Sequence, residues 1–258
     1  MSCANNFRMK DKNYSNINYR IPCRYCINCR EDRRREWKAR ADYEFKKHIS
    51  GTFLTLTYDD NNLMENIVRG NDEKLRANLN YKDVKKFILR LKKYIERNEK
   101  KNNILRQKDF TYLGVGEYGE NGTIWDRPHW HILMFGLDWK YNEKLFEQEW
   151  GKGIVDSKPI LTGGINYVLK YMDKQIMGKK EIWENYGRFG LNAPKQFQST
   201  GLGSGLYKEN LEEAVKNNGI IKDGLKQFFR TTILQKKIRD LLKRKRSNRE
   251  KNRKPKKL

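Results

Sequence analysis

The alternation of hydrophobic and polar positions predicts four strands. Residues 52–58 alternate and are rich in threonine and aromatic or aliphatic side chains, which is typical of a half-buried strand. Residues 109–117 and 128–136 form two more predicted strands. The turn residues Glu120-Asn121-Gly122 lie between them and favour an antiparallel hairpin. A fourth strand is predicted around 154–160.

A spacing of three to four residues between apolar positions predicts helices elsewhere. The clearest covers 81–97, where one apolar stripe faces a mostly charged opposite side and Asn80 precedes the first turn as a candidate N-cap. Polar composition predicts loops over 59–80 and 185–206. The remaining predicted segments are helices over 30–48, 141–150, 162–174 and 208–217, and a strand followed by a helix over 227–242.

Charge changes the picture more than any single element does. Lys and Arg exceed Asp and Glu by 24 among 258 residues, and the sequence pI is about 9.8. A polyanion, and first of all nucleic acid, is the partner that such a charge favours. No apolar run is long enough to cross a membrane, and the first residues lack the apolar region of a signal peptide. We therefore expect an uncleaved cytoplasmic protein without a membrane partner.

Basic side chains concentrate in a few segments. The predicted helix 30–48 carries four arginines in its first turns, and with Lys170 they are candidate DNA-binding residues. The alternative for such a helix is an ordinary solvated face. The tail 243–258 is almost entirely polar and basic, which predicts a disordered segment attracted to phosphates. The four arginines are Arg30, Arg33, Arg34 and Arg35.

All four cysteines lie within the first 30 residues. Cys23, Cys26 and Cys29 form a C-x2-C-x2-C run, and Cys3 could supply a fourth thiolate to a tetrahedral structural zinc site. The alternative is a set of small buried thiols. In a cytoplasmic protein these cysteines are expected to be reduced or metal-bound rather than paired in disulfides.

Two of the three histidines bracket one tryptophan in the predicted strand 128–136. Residues two apart point to the same face of a strand, so His129 and His131 project side by side and Trp130 points the other way. The predicted hairpin brings Glu117 close to His129. Two imidazoles and one carboxylate form a three-ligand divalent metal site with open positions. Glu120 is the alternative third ligand, and two histidines that merely pack in a sheet are the alternative interpretation.

The predicted helix 162–174 carries two tyrosines and a lysine on one face, because Tyr167, Tyr171 and Lys174 are spaced by four and three residues. In a packed core such residues would be unremarkable. Near a metal site in a basic protein, they are candidate nucleophiles with a lysine that positions charge.

Three ordered motifs resemble those of HUH rolling-circle replication initiators, and the pair of tyrosines resembles the initiators of microviruses. The cysteine segment is similar to that of gokushovirus-type members. The high lysine and asparagine content suggests an AT-rich genome, such as that of a spiroplasma phage. The motifs are Thr55-Leu56-Thr57-Tyr58, Gly116-Glu117-Tyr118-Gly119 leading to Arg127-Pro128-His129-Trp130-His131, and Tyr167-x3-Tyr171-x2-Lys174.

The resemblance implies an α+β fold in which helices flank a central antiparallel sheet, the RRM-like core of HUH endonucleases. It implies a Cys-containing N-terminal segment over 1–30, the endonuclease domain with C-terminal elaborations over 31–242, and the basic tail over 243–258. His129 and His131 match the metal-binding histidines of the family, and Glu117 matches the preceding carboxylate. Tyr167 and Tyr171 match the nucleophiles, and Lys174 matches the lysine that follows them.

The implied activity is that of a Mg²⁺- or Mn²⁺-dependent nickase and strand transferase that replicates viral DNA in the host cytoplasm. It would nick the supercoiled duplex at a locally single-stranded origin, form a 5′-phosphotyrosine link, and leave a 3′-hydroxyl for the host polymerase. No Walker motif is present, so a separate host helicase is implied. An HUH relaxase or transposase, and a non-catalytic zinc-stabilised nucleic-acid-binding protein, are the alternatives.

Overall fold

The computed structural model describes residues 3, 7–11, 14–21, 23, 25–102, 110–119, 127–174 and 179–206. These residues belong to two compact units. One unit runs from Trp37 to Leu202, and the other holds the described residues before and after it. None of the described helices is long and apolar enough to cross a membrane.

The unit Trp37–Leu202 is built on one five-stranded sheet in which every neighbouring pair is antiparallel. The predicted α+β fold with a central antiparallel sheet is confirmed. The middle strand is the one that carries both histidines. In spatial order the strands are β8 (Val155–Pro159), β3 (Gly51–Thr57), β7 (His129–Phe135), β6 (Thr111–Glu117) and β9 (Gln196–Gln198).

Helices cover both faces of the sheet, and side chains that alternate along the strands supply a core on each face. Trp130 and Ile132 of β7 belong to one core, whereas Leu133 and Phe135 belong to the other. Because His129 and His131 share the parity of Leu133, they lie on the second face. The larger helices are α1 (Ile27–Phe45), α3 (Tyr81–Asn102), α4 (Trp139–Trp150) and α5 (Thr162–Lys174).

Helix α3 packs on the first face through the predicted apolar stripe. Val84, Phe87, Ile88 and Leu91 are buried there, and the helix extends five residues beyond the predicted end at 97. Helix α5 packs on the second face and buries Val168 and Leu169. This places one side of α5 beside the histidines.

Two segments predicted as loops contain regular structure. The stretch 59–80 holds a short helix, α2 (Asp60–Met64), and a hairpin of β4 (Ile67–Arg69) and β5 (Leu75–Ala77). A side-chain cap explains the short helix, since Asp59 accepts a hydrogen bond from the backbone N–H of Asn62. The segment 185–206 holds a 3-10 turn at Gly187–Phe189 and the edge strand β9. Three-residue strands are too short for a visible alternation, so pairing with neighbours decides them.

The cysteine-containing segment holds a hairpin that the sequence did not predict. Its strands are β1 (Phe7–Asp11) and β2 (Tyr14–Ile21), and they pair antiparallel. A short helix, α6 (Lys179–Asn185), was also not predicted. The predictions for 208–217, 227–242 and the tail 243–258 lie outside the described residues.

Candidate functional site

The register of β6 and β7 brings a carboxylate opposite the histidine pair. Glu117 is the Cα partner of His129, and Val115 is the partner of His131. The hairpin predicted from the sequence is therefore confirmed, together with its consequence that Glu117 lies next to His129. The side chains of all three candidate ligands point to the same face of the sheet, and each is at least partly buried.

The ligand atoms of this group converge. The Nε2 atom of His129 lies 3.4 Å from Oε2 of Glu117, and Nε2 of His131 lies 3.2 Å from the same oxygen. All three candidate ligand atoms lie within 4.8 Å of one another. Two imidazoles and a carboxylate at this spacing can hold one divalent cation, with the remaining coordination positions left for water and substrate.

Both histidine rings are held by hydrogen bonds at the nitrogen that faces away from the carboxylate. Nδ1 of His129 lies 2.9 Å from the backbone carbonyl oxygen of Arg127. A carbonyl can only accept, so Nδ1 donates and a neutral ring keeps its lone pair on Nε2. Nδ1 of His131 lies 3.2 Å from the hydroxyl of Thr55. Both Nε2 atoms are thus directed at the shared site.

Electrostatics of the group favour ionised partners. Burial opposes a charged carboxylate, but hydrogen bonds from His129 and His131 outweigh it and lower the pKa of Glu117 to about 2. Burial likewise opposes a charged His129, whereas its contact with Glu117 raises the pKa of that ring. A carboxylate that is ionised at neutral pH is the form that a metal ion requires.

Two phenols cover the histidines from helix α5. The ring of Tyr171 stacks on His131 with centroids 5.1 Å apart, and the ring of Tyr167 meets His131 edge-on at 5.3 Å. The hydroxyl of Tyr171 donates a hydrogen bond of 2.8 Å to the hydroxyl of Tyr167. The predicted common face of these tyrosines is therefore present, and it is turned to the histidine pair.

The two tyrosines differ in environment. Tyr167 is 43% exposed, whereas Tyr171 is only partly accessible. Burial, the hydrogen bond to Tyr167 and the negative charge of Glu117 all raise the pKa of Tyr171 above its ordinary value. Both phenols therefore need help from their surroundings before either can act as a nucleophile.

Comparisons with known proteins agree with this arrangement. A family profile described as a replication-associated protein of the ORF2 type matches residues 51–176, the span that holds the three candidate ligands and both tyrosines. The chain is 30% identical over 236 residues to the replication-associated protein ORF2 of Spiroplasma virus 4, covering 84% of this chain and 67% of the relative. This chain belongs to the replication-associated protein family of microviruses.

Two other relatives are members of the same family. The chain is 25% identical over 231 residues to the replication-associated protein ORF4 of Chlamydia phage 1 and 28% identical over 172 residues to the replication-associated protein VP4 of Bdellovibrio phage phiMH2K. These matches cover 83% and 61% of this chain, and 52% and 49% of the relatives. The chain thus spans about two thirds of the length of the first relative and about half that of the others. No solved structure matches it.

In this member of the family, two site residues escaped the sequence analysis. Thr55 holds the ring of His131, and Phe53 stacks on that ring at 5.7 Å while meeting Tyr167 edge-on at 5.6 Å. Alternation along β3 does put both on one face. Their position opposite the histidines depends on the register Thr55 to His131, which joins residues 76 apart in sequence and leaves no local signal.

The other candidate residues stand as follows. Glu120 and the side chain of Lys174 lie outside the described residues, although the backbone of Lys174 ends α5. Lys170 is exposed on α5 beside Tyr171, and Arg33 and Arg34 are exposed on α1. Two arginines already have protein partners. Arg30 donates to the carbonyl of Tyr25, and Arg35 pairs with Asp32 at 2.8 Å.

A second candidate metal-binding group lies in the other unit. The sulfur atoms of Cys3, Cys23, Cys26 and Cys29 all lie within 4.8 Å of one another, so the cysteines that the sequence singled out do converge. Each of them is a free thiol. The two groups use different ligands, nitrogen and oxygen in one and sulfur alone in the other.

Proposed function

We propose that this chain is a metal-dependent DNA nickase and strand transferase that starts rolling-circle replication of a microvirus genome. The single observation that carries the proposal is the stacking of two phenols, joined by a 2.8 Å hydrogen bond, directly on the His131 ring of a convergent Glu117–His129–His131 group. Nucleophiles and a candidate phosphate-activating centre then share one face of the sheet. Family membership supports a role in viral DNA replication.

The donor set fits a divalent cation of the Mg²⁺ or Mn²⁺ class. Glu117 supplies a charged oxygen, and the Nε2 atoms of His129 and His131 converge on that oxygen. A cation held by these three side chains would withdraw charge from a non-bridging oxygen of the scissile phosphate and offset the negative charge that raises the pKa of Tyr171. The open side of the group faces the tyrosines.

The proposed cleavage is a transesterification. The hydroxyl of one tyrosine loses its proton, and its oxygen bonds to the scissile phosphorus. The bond from phosphorus to the 3′ oxygen breaks, and that oxygen takes up a proton as the free 3′-hydroxyl. The resulting 5′-phosphotyrosine ester conserves the phosphoester for rejoining. A free phenol has a pKa of about 10, so this step needs a site that favours the phenolate. Lys174, one turn beyond Tyr171, is proposed to help by its positive charge.

Two tyrosines one helical turn apart suit a cycle with two cleavages. After the first tyrosine is esterified, the host polymerase extends the 3′-hydroxyl and a host helicase opens the duplex. The second tyrosine then cleaves the regenerated origin, and the new 3′-hydroxyl attacks the first ester, which releases a single-stranded circle. These steps and the host cytoplasm as their place are part of the proposal. Arg33, Arg34 and Lys170 are the exposed candidates for phosphate contacts.

The experiment is a nicking assay with the full chain, the supercoiled replicative form of the genome that encodes it, and Mn²⁺ or Mg²⁺. Wild type is compared with Tyr167→Phe, Tyr171→Phe and the double variant on denaturing gels without protease treatment. We expect a covalent protein–DNA adduct with wild type and with each single variant, and none with the double variant. Phenylalanine removes only the nucleophilic oxygen, so packing on His131 is retained.

Tyr141→Phe is the matched control, because Tyr141 is 89% exposed on α4 and stands away from the sheet face that carries the histidines. It should nick like wild type. A double variant that still forms the adduct would contradict the assignment of the nucleophiles. Wild-type protein that binds the DNA but never nicks it would instead favour a non-catalytic nucleic-acid-binding role.

A further inference from the structure

The four cysteines are the only ones in the chain, and they form one cluster in the unit that holds the described N-terminal residues. Sγ of Cys23 lies 4.0 Å from Sγ of Cys29, and Sγ of Cys26 lies 3.9 Å from Sγ of Cys3. No other pair among the four exceeds 4.8 Å. The proposed nicking chemistry uses none of these atoms, so the convergence needs its own explanation.

The separations match four sulfurs around one ion. A zinc–sulfur bond of about 2.3 Å puts the corners of a regular tetrahedron about 3.8 Å apart. A disulfide would require about 2.0 Å between sulfurs. The observed spacing is therefore close to that of tetrahedral tetrathiolate coordination and is twice that of a covalent pair.

Backbone donors also point at these sulfurs. The N–H groups of Tyr25 and Cys26 donate to Sγ of Cys23 at 3.5 and 3.4 Å, and the N–H of Cys23 donates to Sγ of Cys3 at 3.2 Å. Such donors stabilise thiolates, the form that binds metal. Cys26 directly precedes α1 and Cys29 lies in its first turn, where the helix dipole also favours negative charge.

We infer that Cys3, Cys23, Cys26 and Cys29 bind one structural Zn²⁺ ion. Four thiolates complete its tetrahedron, so no position is left open for water or substrate, and the ion serves the fold rather than the chemistry. Cys3 precedes the β1–β2 hairpin and Cys23 follows it, so the site closes the chain around that hairpin and fastens it to the start of α1. The unit thereby gains a cross-link that its small number of apolar residues does not provide.

The test begins with wild-type protein purified without chelator. Zinc per chain is measured by inductively coupled plasma mass spectrometry, and thiol reactivity is followed with Ellman's reagent. We expect one tightly bound zinc and thiols that react slowly in the native protein, and four that react at once after chelation under denaturing conditions. Four fast-reacting thiols in native protein without zinc would overturn the inference. So would a mass lower by two hydrogens for each pair, since that would reveal disulfides.

Variants separate this site from the histidine group. Cys26→Ser and Cys29→Ser should each lose the tightly bound zinc, whereas His129→Ala combined with His131→Ala should keep one zinc per chain. Zinc that follows the histidines and ignores the cysteines would overturn the inference. If the cysteine variants do not fold, Co²⁺ exchanged into wild-type protein provides the readout. Intense visible bands and a sulfur-to-cobalt charge-transfer band are expected, and a weak six-coordinate spectrum would contradict it.

Discussion

Thr55 and the backbone carbonyl of Arg127 set the direction in which the two histidine rings point. Each contacts the Nδ1 atom of one ring, so each Nε2 atom faces Glu117. The two devices differ in kind, because a backbone carbonyl cannot be mutated away and a threonine hydroxyl can. Thr55 is therefore the place to test whether ring orientation matters.

Replacing Thr55 with valine keeps the shape of the side chain and removes the hydroxyl. Because partners of metal-binding histidines typically contribute about 10- to 100-fold in metal affinity, we expect the Mn²⁺ concentration for half-maximal nicking to rise by about tenfold or more. Thr55→Ser restores the hydroxyl and should return the value close to that of wild type. A valine variant with an unchanged Mn²⁺ dependence would show that the hydroxyl has no role in positioning the ring.

At the scale of elements, two glycines after α4 determine how the chain turns back toward the sheet. Gly151 caps the helix in the left-handed region with φ of 56°. Gly153 has φ of 140°, and a Cβ there would lie 2.2 Å from the backbone nitrogen of Asp59. Only a residue without a side chain can approach the end of β3 so closely.

The two glycines give a matched pair of variants. Gly151→Ala meets nothing closer than 3.5 Å and should reduce the free energy of unfolding by about 1 kcal/mol, the cost of a left-handed alanine. Gly153→Ala adds a clash with backbone to a strained conformation and should reduce it by about 3 kcal/mol or more. Urea unfolding followed by circular dichroism measures both. Equal losses at the two positions would contradict the proposed close approach.

Elements with a clear period were predictable, and elements that depend on partners were not. The strand 52–58 and the helices 81–97, 141–150 and 162–174 all appear close to their predicted bounds, because their burial patterns are visible in the sequence itself. The edge strand β9 was missed. It is held by Phe197, whose ring fills the space that Gly114 leaves open on β6, a contact between residues far apart in sequence.

The same division applies to the site. The pair His129 and His131 and the pair Tyr167 and Tyr171 could each be predicted to share a face, since strand and helix periods are local. That the tyrosines stack on His131 required the packing of α5 on one particular face of the sheet. No local pattern carries that information.

At the scale of the whole molecule, an excess of 24 positive charges governs the approach to DNA. Each phosphate neutralised on single-stranded DNA contributes about 0.7 to the slope of log affinity against log salt concentration. We expect Arg33→Ala combined with Arg34→Ala to lower that slope by about 1.4, measured by fluorescence anisotropy over a range of NaCl concentrations.

Lys158→Ala is the control for this measurement. Lys158 is exposed on β8, but its ammonium group already pairs with Asp156 at 2.7 Å. Its removal should leave the slope unchanged. If the arginine variant also leaves the slope unchanged while Lys158→Ala lowers it, the phosphate contacts lie elsewhere than on α1.

The histidines stand on the middle strand of five, with two hydrogen-bonded strands on either side. Amide protons in such a strand exchange with solvent only when the sheet itself opens, so the geometry of the histidine group is kept by the most slowly exchanging part of the fold. An ion that binds there stabilises the native sheet in proportion to its occupancy. Hydrogen exchange in β7, followed with and without Mn²⁺, would then report metal binding and the cohesion of the whole sheet in one experiment.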